Sequence, residues 1–305
     1  MITYDILAAH PPTVLCFTGL YPEEFLGVLL DFDLAGHTYA LDQLLDSSPR
    51  GRRPGGGRKP KLLTIAAKRL FILMSLKRSP LQAVLGFLFG LSHPQAHDGI
   101  HTLTPMVRDA LSRGRLLPER EGSRLAAVLA ATEELVALLD GVERPKQRPT
   151  DPEQQRADDR GKKNGHRRKH VLVTTYHQRR VNYLRATVEG RRHDKPIADQ
   201  SALTFPDDIT LAQETGLPGD APPNVRVCPP KKKPKGQERS SEEKVRKTLI
   251  ARLRIRVAHV IAGVKRSRIV KDLFRNTRAG YDDLVMEVAC GLHNFRTECR
   301  HWGSP

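Results

Sequence analysis

Apolar positions in the first third of the chain recur at helical spacing. Phe25, Val28, Leu29 and Leu30 supply one apolar side, and Pro22-Glu23-Glu24 suits a first helical turn. Proline needs no donor there, and the acids face the positive helix end. Residues 20–46 are therefore expected to be helical. Ile65, Leu70, Leu73, Met74 and Leu76 give the apolar face of a second helix. Pro80–Phe89 reads as a short helix and Gly90-Leu91-Ser92 as a turn, and Pro94–Leu103 starts the next helix of a helical module over 64–115. Helix, short glycine-containing turn, helix is the order of a helix-turn-helix. In that reading Ser92 or His93 caps the second helix, and Gln95, Ala96, His97 and Gly99 face a DNA groove. An ordinary helical hairpin has the same pattern.

The middle of the chain changes period. Arg124–Glu133 reads as a helix. The apolar run that follows, Glu134-Leu-Val-Ala-Leu-Leu, closes on Asp140. His170–Tyr176 and Val181–Val188 are β-rich runs with a short polar link, which predicts a hairpin. Asp194–Leu203 reads as a helix, Asp207–Gln213 as a strand and Val225–Cys228 as a short strand. Ser240-Ser-Glu-Glu opens a long helix with a capping residue and an acidic first turn. It continues through Leu249, Ile250, Leu253, Val257, Ile261 and Val264. A last helix spans Tyr281–Glu298.

Charge narrows the partners. The chain has 305 residues with 51 Lys+Arg against 34 Asp+Glu, a formal net charge of +17. The excess recurs at Gly51–Lys61, Arg156–His170, Lys231–Lys235 and Lys244–Lys271. A distributed positive field attracts nucleic acid through counterion release. Aromatic residues make up 5% of the chain, with a single Trp. That is sparse for a single-strand binder that stacks bases, so double-stranded DNA gripped by its phosphates is the expected partner. No apolar stretch approaches the ~20 residues that span a bilayer, and no membrane partner is expected. Cys16, Cys228, Cys290 and Cys299 lack framework spacing, which fits a reducing, cytoplasmic setting and, for a DNA binder, association with the nucleoid. Gly51-Arg52-Arg53-Pro54-Gly-Gly-Gly-Arg58-Lys59 reads as a flexible basic arm, either a solvated linker or an arm that tracks phosphates. The domains expected are 1–50, a helical segment; 51–115, the arm and helix-turn-helix; and 116–305.

Asp140 is the residue to which chemistry attaches first. A carboxylate held at a strand tip suits a metal site acting on a polyanion; an ordinary Asp-Gly turn is the other reading. The element order is a strand ending in Asp140, a hairpin, a helix, a strand leading to Glu214, a short strand and a long helix. That is the order of a ribonuclease-H-like mixed-sheet fold, of α+β or α/β class. Such a site holds two Mg²⁺ ions about 3.5–4 Å apart over one phosphodiester, and hard oxygen ligands suit them.

Seven motifs occur in sequence: Asp140-Gly-Val-Glu-Arg-Pro145, Arg160-Gly-Lys-Lys163, His193-Asp-Lys195, Gln213-Glu-Thr-Gly216, Pro229–Gly236, Arg256-Val-Ala-His-Val-Ile261 and Cys290-Gly-Leu-His-Asn-Phe-Arg296. Together they resemble the DDE transposases of bacterial insertion sequences whose catalytic domain is related to Harbinger transposases. Gly57–Ile100 also resembles their helix-turn-helix, and the likeness covers roughly residues 20–300. The resemblance implies Mg²⁺ or Mn²⁺ as cofactor, and DNA cleavage followed by strand transfer from a freed 3′-hydroxyl. It implies terminal inverted repeats and target DNA as partners, and a homo-oligomer that brings two ends together. The first catalytic Asp falls on Asp140. The second, in a Gln-Asp-Thr-Gly motif, falls on Glu214. The third, a Glu on the long helix, falls on Ala258.

Those departures weaken the expected chemistry. Glu214 adds a methylene, and a shift of about 1 Å can cost about 10²-fold in rate. Ala258 removes an anion, and no carboxylate occurs between Lys244 and Lys271. A weakly bound metal and impaired strand transfer follow, with Asp140 and Glu214 as the remaining ligands. A non-catalytic DNA-binding protein, a domesticated transposase or a repressor, is the alternative. Lys162, Lys163, Lys231, Lys232 and Lys233 are candidate phosphate contacts, with Arg52, Arg53, Arg58, Lys59, Gln95 and His97. Asp194 either orients a ligand or caps the following helix, and His259 lies beside the third position. Cys290, His293, Cys299 and His301 imitate a zinc set, as does the stripe His93, His97, His101.

Overall fold

The computed structural model describes residues 1–27, 31–38, 61–132, 136–160, 165–191, 202–213, 225–228 and 241–301. They form two compact units that do not follow chain order. The first comprises Met1–Leu117, Arg266–Val270 and Leu284–Pro305; the second comprises Pro118–Lys265 and Lys271–Asp283.

The first unit is helical: α1 (Tyr4–Ala8), α2 (Pro11–Thr18), α3 (Pro22–Gly27), α4 (31–38), α5 (Ile65–Arg78), α6 (Gln82–Phe89) and α7 (His93–Arg113), joined by most of α11 (Tyr281–His301). Helix α5 is apolar on more than the one face its spacing suggests. Every residue from Arg69 to Leu76 is buried, as befits an inner helix packed on several sides. Arg69 is among them. Its Nη1 donates to the Phe25 carbonyl at 2.6 Å, and its guanidinium lies over the Phe25 and Phe32 rings at 5.3 and 5.4 Å. Burial pushes its pKa down to about 9, yet the cation is held by one carbonyl and two ring faces.

The expected helix, turn and helix are present as α6, Gly90-Leu91-Ser92 and α7. Gly90 takes the left-handed conformation at φ 66° that ends α6. Ser92 caps α7 within a capping box: its hydroxyl accepts from the Gln95 amide, and Gln95 Oε1 accepts from the Ser92 amide at 3.0 Å. Helix α7 runs through Pro105 to Arg113, although an internal proline removes a hydrogen bond. Leu103, Met106, Val107, Ala110 and Leu111 are all buried along it, and that burial outweighs the loss.

The described residues of the second unit form a seven-stranded mixed sheet with flanking helices. Its main path is β2-β3-β1-β6-β7, with β4 and β5 also paired to β3. The strands are β1 (Val136–Pro145), β2 (Asp159–Arg160), β3 (Gly165–Thr175), β4 (Val181–Leu184), β5 (Val188–Glu189), β6 (Thr210–Gln213) and β7 (Arg226–Cys228). The predicted hairpin is the antiparallel β3–β4 pair. β1 lies between antiparallel β3 and parallel β6. One face packs Ala137, Leu139, Val171, Val173 and Tyr183 against Leu125 and Leu129 of helix α8 (Leu125–Ala130), with Phe205, Ile209 and Leu211. On the other face Leu138 and Ala212 meet Val257 of α10 (Ser241–Val264), flanked by Leu253 and Ile261. These three helix positions are spaced i, i+4, i+8, the stripe that lets one helix lie along a sheet.

The stretch read only as polar and basic between Lys146 and His170 holds further structure. Helix α9 (Pro152–Asp158) starts on Asp151, whose carboxylate accepts from the Gln154 amide at 3.0 Å. The Asp194–Leu203 helix lies almost wholly outside the described residues.

Gly86 sets the closeness of α6 to the turn after it. A Cβ there would stand 2.8 Å from the Leu91 carbonyl oxygen and 3.5 Å from Ala96 Cβ. Gly86→Ala is therefore expected to destabilise the protein by about 1–3 kcal/mol, although alanine is the better helix former. Urea denaturation followed by circular dichroism checks this; a midpoint equal to or above that of the parent chain would contradict it.

Candidate active site

Asp140 does not end its strand, and Asp140-Gly141 is not a turn. β3 is long enough to pair with β1 from Ala137↔Thr175 to Pro145↔Arg167, so the chain continues extended through both residues. The other edge behaves differently. Pairing with β6 is described up to Leu139↔Gln213. Asp140 is the next residue along β1, and Glu214 follows Gln213 in the chain but lies outside the described residues. Asp140 is half-buried, and its Oδ1 accepts from the Gly141 amide at 2.7 Å.

Strand alternation puts Leu138, Asp140, Val142 and Arg144 on one face. Their antiparallel partners Thr174, Leu172, His170 and Arg168 share it. At the Leu138 end this face is covered by α10 through Val257. Ala258 and His259, the next two residues of that helix, are exposed. Ala258 offers a methyl group at the position where the resemblance implies a glutamate.

The Arg144 end carries a cluster of charges that the sequence reading missed. Arg144 is fully buried. Its guanidinium sits 4.1 Å from the Phe274 ring centroid, and Nη2 donates to the Asp282 carbonyl at 3.1 Å. Burial pushes its pKa down to about 10, with Asp282 and Asp283 pulling the other way. Arg168 Nε lies 3.1 Å from buried Asp158 and 3.8 Å from Asp282. Lys146 Nζ lies 3.7 Å from Asp158. Burial raises the Asp158 pKa despite Arg168 and Lys146. Asp283 accepts from both the Thr187 amide and hydroxyl at 2.8 Å and pairs with Arg120. His170 is wholly buried beside this group, its Nδ1 3.4 Å from the Thr187 hydroxyl. Burial first, then Arg144, Arg120 and Arg168, hold its pKa well below the usual histidine value. The signal that could have found the cluster is charge carried inside strands: Arg144 in β1 and the run His166–His170 in β3.

Arg52, Arg53, Arg58, Lys59, Lys162, Lys163, Asp194, Lys231, Lys232 and Lys233 lie outside the described residues. Gln95 is exposed but engaged in the α7 cap, and His97 is exposed with its ring 4.4 Å from that of His101. Ala96 is buried and Gly99 lies close to the Phe71 ring, so neither faces a groove as the sequence reading had them. Cys290 and His293 are buried on α11, whereas Cys299 is exposed. No single helix among the described residues is long and apolar enough to cross a membrane.

A mixed sheet flanked by helices is consistent with the ribonuclease-H-like fold of DDE enzymes. Residues 139–294 match the family described as DDE superfamily endonuclease, just over half of the chain. The chain belongs to that family, whose function is of transposase or nuclease type and whose substrate is DNA. No curated protein and no solved structure matches it.

Members of the family typically use divalent metal ions. Among the described residues, which do not include Glu214, no group of three or more His, Cys, Asp or Glu could hold one. Asp140 is a single carboxylate, and two close divalent ions need several anionic oxygens.

His170 makes the unit sensitive to acid. Unfolded histidine binds a proton near pH 6.5, while the folded ring resists protonation to a lower pH. Its contribution to stability is therefore intact above about pH 6.5 and is lost as pH falls towards the depressed folded value, by at most about 1.4 kcal/mol per pH unit. Thermal unfolding between pH 7.5 and 5.5 should show a fall in Tm that is shallower in His170→Gln; equal slopes would remove His170 as the cause.

Proposed function

We propose that the chain is an insertion-sequence transposase of the DDE superfamily, Harbinger-related in its catalytic domain. It binds the terminal inverted repeats of its element as double-stranded DNA, and its cleavage and strand transfer are strongly impaired. The observation that carries this reading is the match over residues 139–294 in a chain whose long helix has Ala258 where the resemblance implies a glutamate. Two further features support it. β6, which pairs with the strand of Asp140, is followed in the chain by Glu214, and Val257 next to Ala258 packs on Leu138 and Ala212, which lie two positions before the two acids in the chain. The net charge of +17 supplies the attraction to phosphate.

In this reading Asp140 and Glu214 are the remaining acids of the site, and Ala258 leaves it one anion short. The α6–turn–α7 helices and the basic arm at 51–61 grip duplex DNA, and the protein acts as an oligomer. A DNA-binding protein that no longer cleaves is the same reading taken to its limit, and the same substitution favours it.

The test is a binding and cleavage assay on a duplex carrying the element's ends, with Mg²⁺ or Mn²⁺ supplied. The chain as it stands is expected to shift the duplex and to nick it slowly if at all. Ala258→Glu combined with Glu214→Asp is expected to raise nicking at least about 100-fold, the scale of a ligand misplaced by about 1 Å. Robust cleavage by the unaltered chain refutes the impairment. A folded double variant that still fails to cleave refutes the assignment of positions 140, 214 and 258.

A further inference from the structure

Helix α6 is apolar on every side. Its sequence is Gln82-Ala-Val-Leu-Gly-Phe-Leu-Phe89, and no side chain in it carries a charge. A helix apolar all round belongs where it is covered all round, and at 8 residues this one is far too short to span a bilayer. It is covered on one side only. Leu85, Gly86 and Phe89 are buried, with the Phe89 ring edge-on to Phe71 of α5 at 5.2 Å and Gly86 close against Ala96 of α7. The other side faces solvent. Phe87 is 85% exposed, more than any other large apolar residue described, and Leu81 and Val84 are 57% and 47% exposed. A spacing of i, i+3, i+6 sets these three along one face, and the helical rotation puts half-buried Leu88 among them.

Size and charge together say what covers this face. At those exposures the three side chains present roughly 300–400 Å² of apolar surface, the scale of a patch that marks a contact. A standard interface takes about 800 Å² from each partner, as an apolar core within a polar rim, so the face is large enough for the core of one. DNA and acidic membranes are gripped through cations, and α6 offers none; Lys61, which reaches its end, donates its Nζ to the Gly90 carbonyl. For two copies of this chain the same lack of charge is what contact requires. Each carries +17, so their basic surfaces repel, and an uncharged apolar face is where they approach at least cost. A short helix face also packs on itself about a two-fold axis, which closes the assembly at a dimer.

We propose that the Leu81, Val84 and Phe87 face of α6 is a homodimer interface, packed against the same face of a second copy. It gives a surface to the oligomer of the reading above, and rests on that reading for the choice of a second copy.

Sedimentation equilibrium of the full chain without DNA tests it. A reversible dimer is expected, and it tightens as NaCl rises from about 0.1 to about 0.5 M, because salt screens the repulsion and leaves the apolar contact intact. Phe87→Asp should raise the dimer dissociation constant at least about 10-fold, the scale of losing an interface anchor. Val84→Lys should do the same, whereas Leu273→Ser, at an exposed leucine of the second unit, should leave it unchanged. Circular dichroism should show the fold kept in all three, since each side chain stands at the surface. A parent chain that stays monomeric, a dimer that both α6 variants leave intact, or a dimer that loosens as salt rises overturns the interface. Loss of duplex binding by Phe87→Asp with association unchanged also overturns it and gives the face to DNA. A monomeric chain that still shifts duplex ends the interface and keeps the DNA-binding reading. A dimer broken by Phe87→Asp in a chain that shifts no duplex keeps the interface and ends that reading.

Discussion

The pairing of β1 on both edges is the constraint from which the second unit follows. β3 runs antiparallel beside it as far as Pro145, while β6 runs parallel and is described only to Gln213. The two partners force β1 to present alternate residues to two covered faces. One face is a continuous apolar layer under α8. On the other, the apolar contact of Leu138 with Val257 gives way after two residues to Asp140 and then to a buried arginine. Burial on either side holds the carboxylate in place without burying it fully. An isolated hairpin could not do this, because a two-stranded ribbon is at best marginally stable alone.

Burying Arg144, Asp158 and His170 in a unit of this size is costly unless each charge is matched. Asp158 lies between Arg168 and Lys146, and Asp282 and Asp283 stand at the start of α11 near Arg144 and Arg120. Acids at a helix start also meet the positive end of its dipole. The neutral His170 fits the same logic: surrounded by arginines, it lowers the cost by staying uncharged. The cluster positions strands more than it adds net stability, since ionic pairs in a core seldom exceed an apolar replacement. The first unit handles Arg69 in the same way, with aromatic faces and a carbonyl in place of a carboxylate.

Much of this was legible in the residues. The helices α5 and α6, the β3–β4 hairpin, the strand before Glu214, and the two long C-terminal helices follow from periodicity and caps. The cap followed from its position after a glycine turn as Ser92 or His93, and the fold chooses Ser92. Other features needed the fold. Helix α9 carried readable signals in Asp151-Pro152-Glu153, but the basic residues around it suggested a solvated stretch. Asp140-Gly141 has the local chemistry of a turn, and only the length of the β3 partner keeps it extended. Helix α7 passes Pro105 because buried contacts beyond it outweigh one missing hydrogen bond. The return of Arg266–Val270 and Leu284–Pro305 to the first unit had no local signal, because a helix does not encode which distant helices it will meet.

By itself the sequence determined the inventory: a strongly basic chain, its amphipathic segments, an ordered set of motifs, and a methyl group at position 258. Those depend on residue type and near-neighbour spacing alone. Tertiary structure decided which charges are buried, which strand edge Asp140 adjoins, and which side of α6 is left uncovered. Desolvation and charge crowding act through space between residues far apart in the chain, and no local pattern of residues carries that distance.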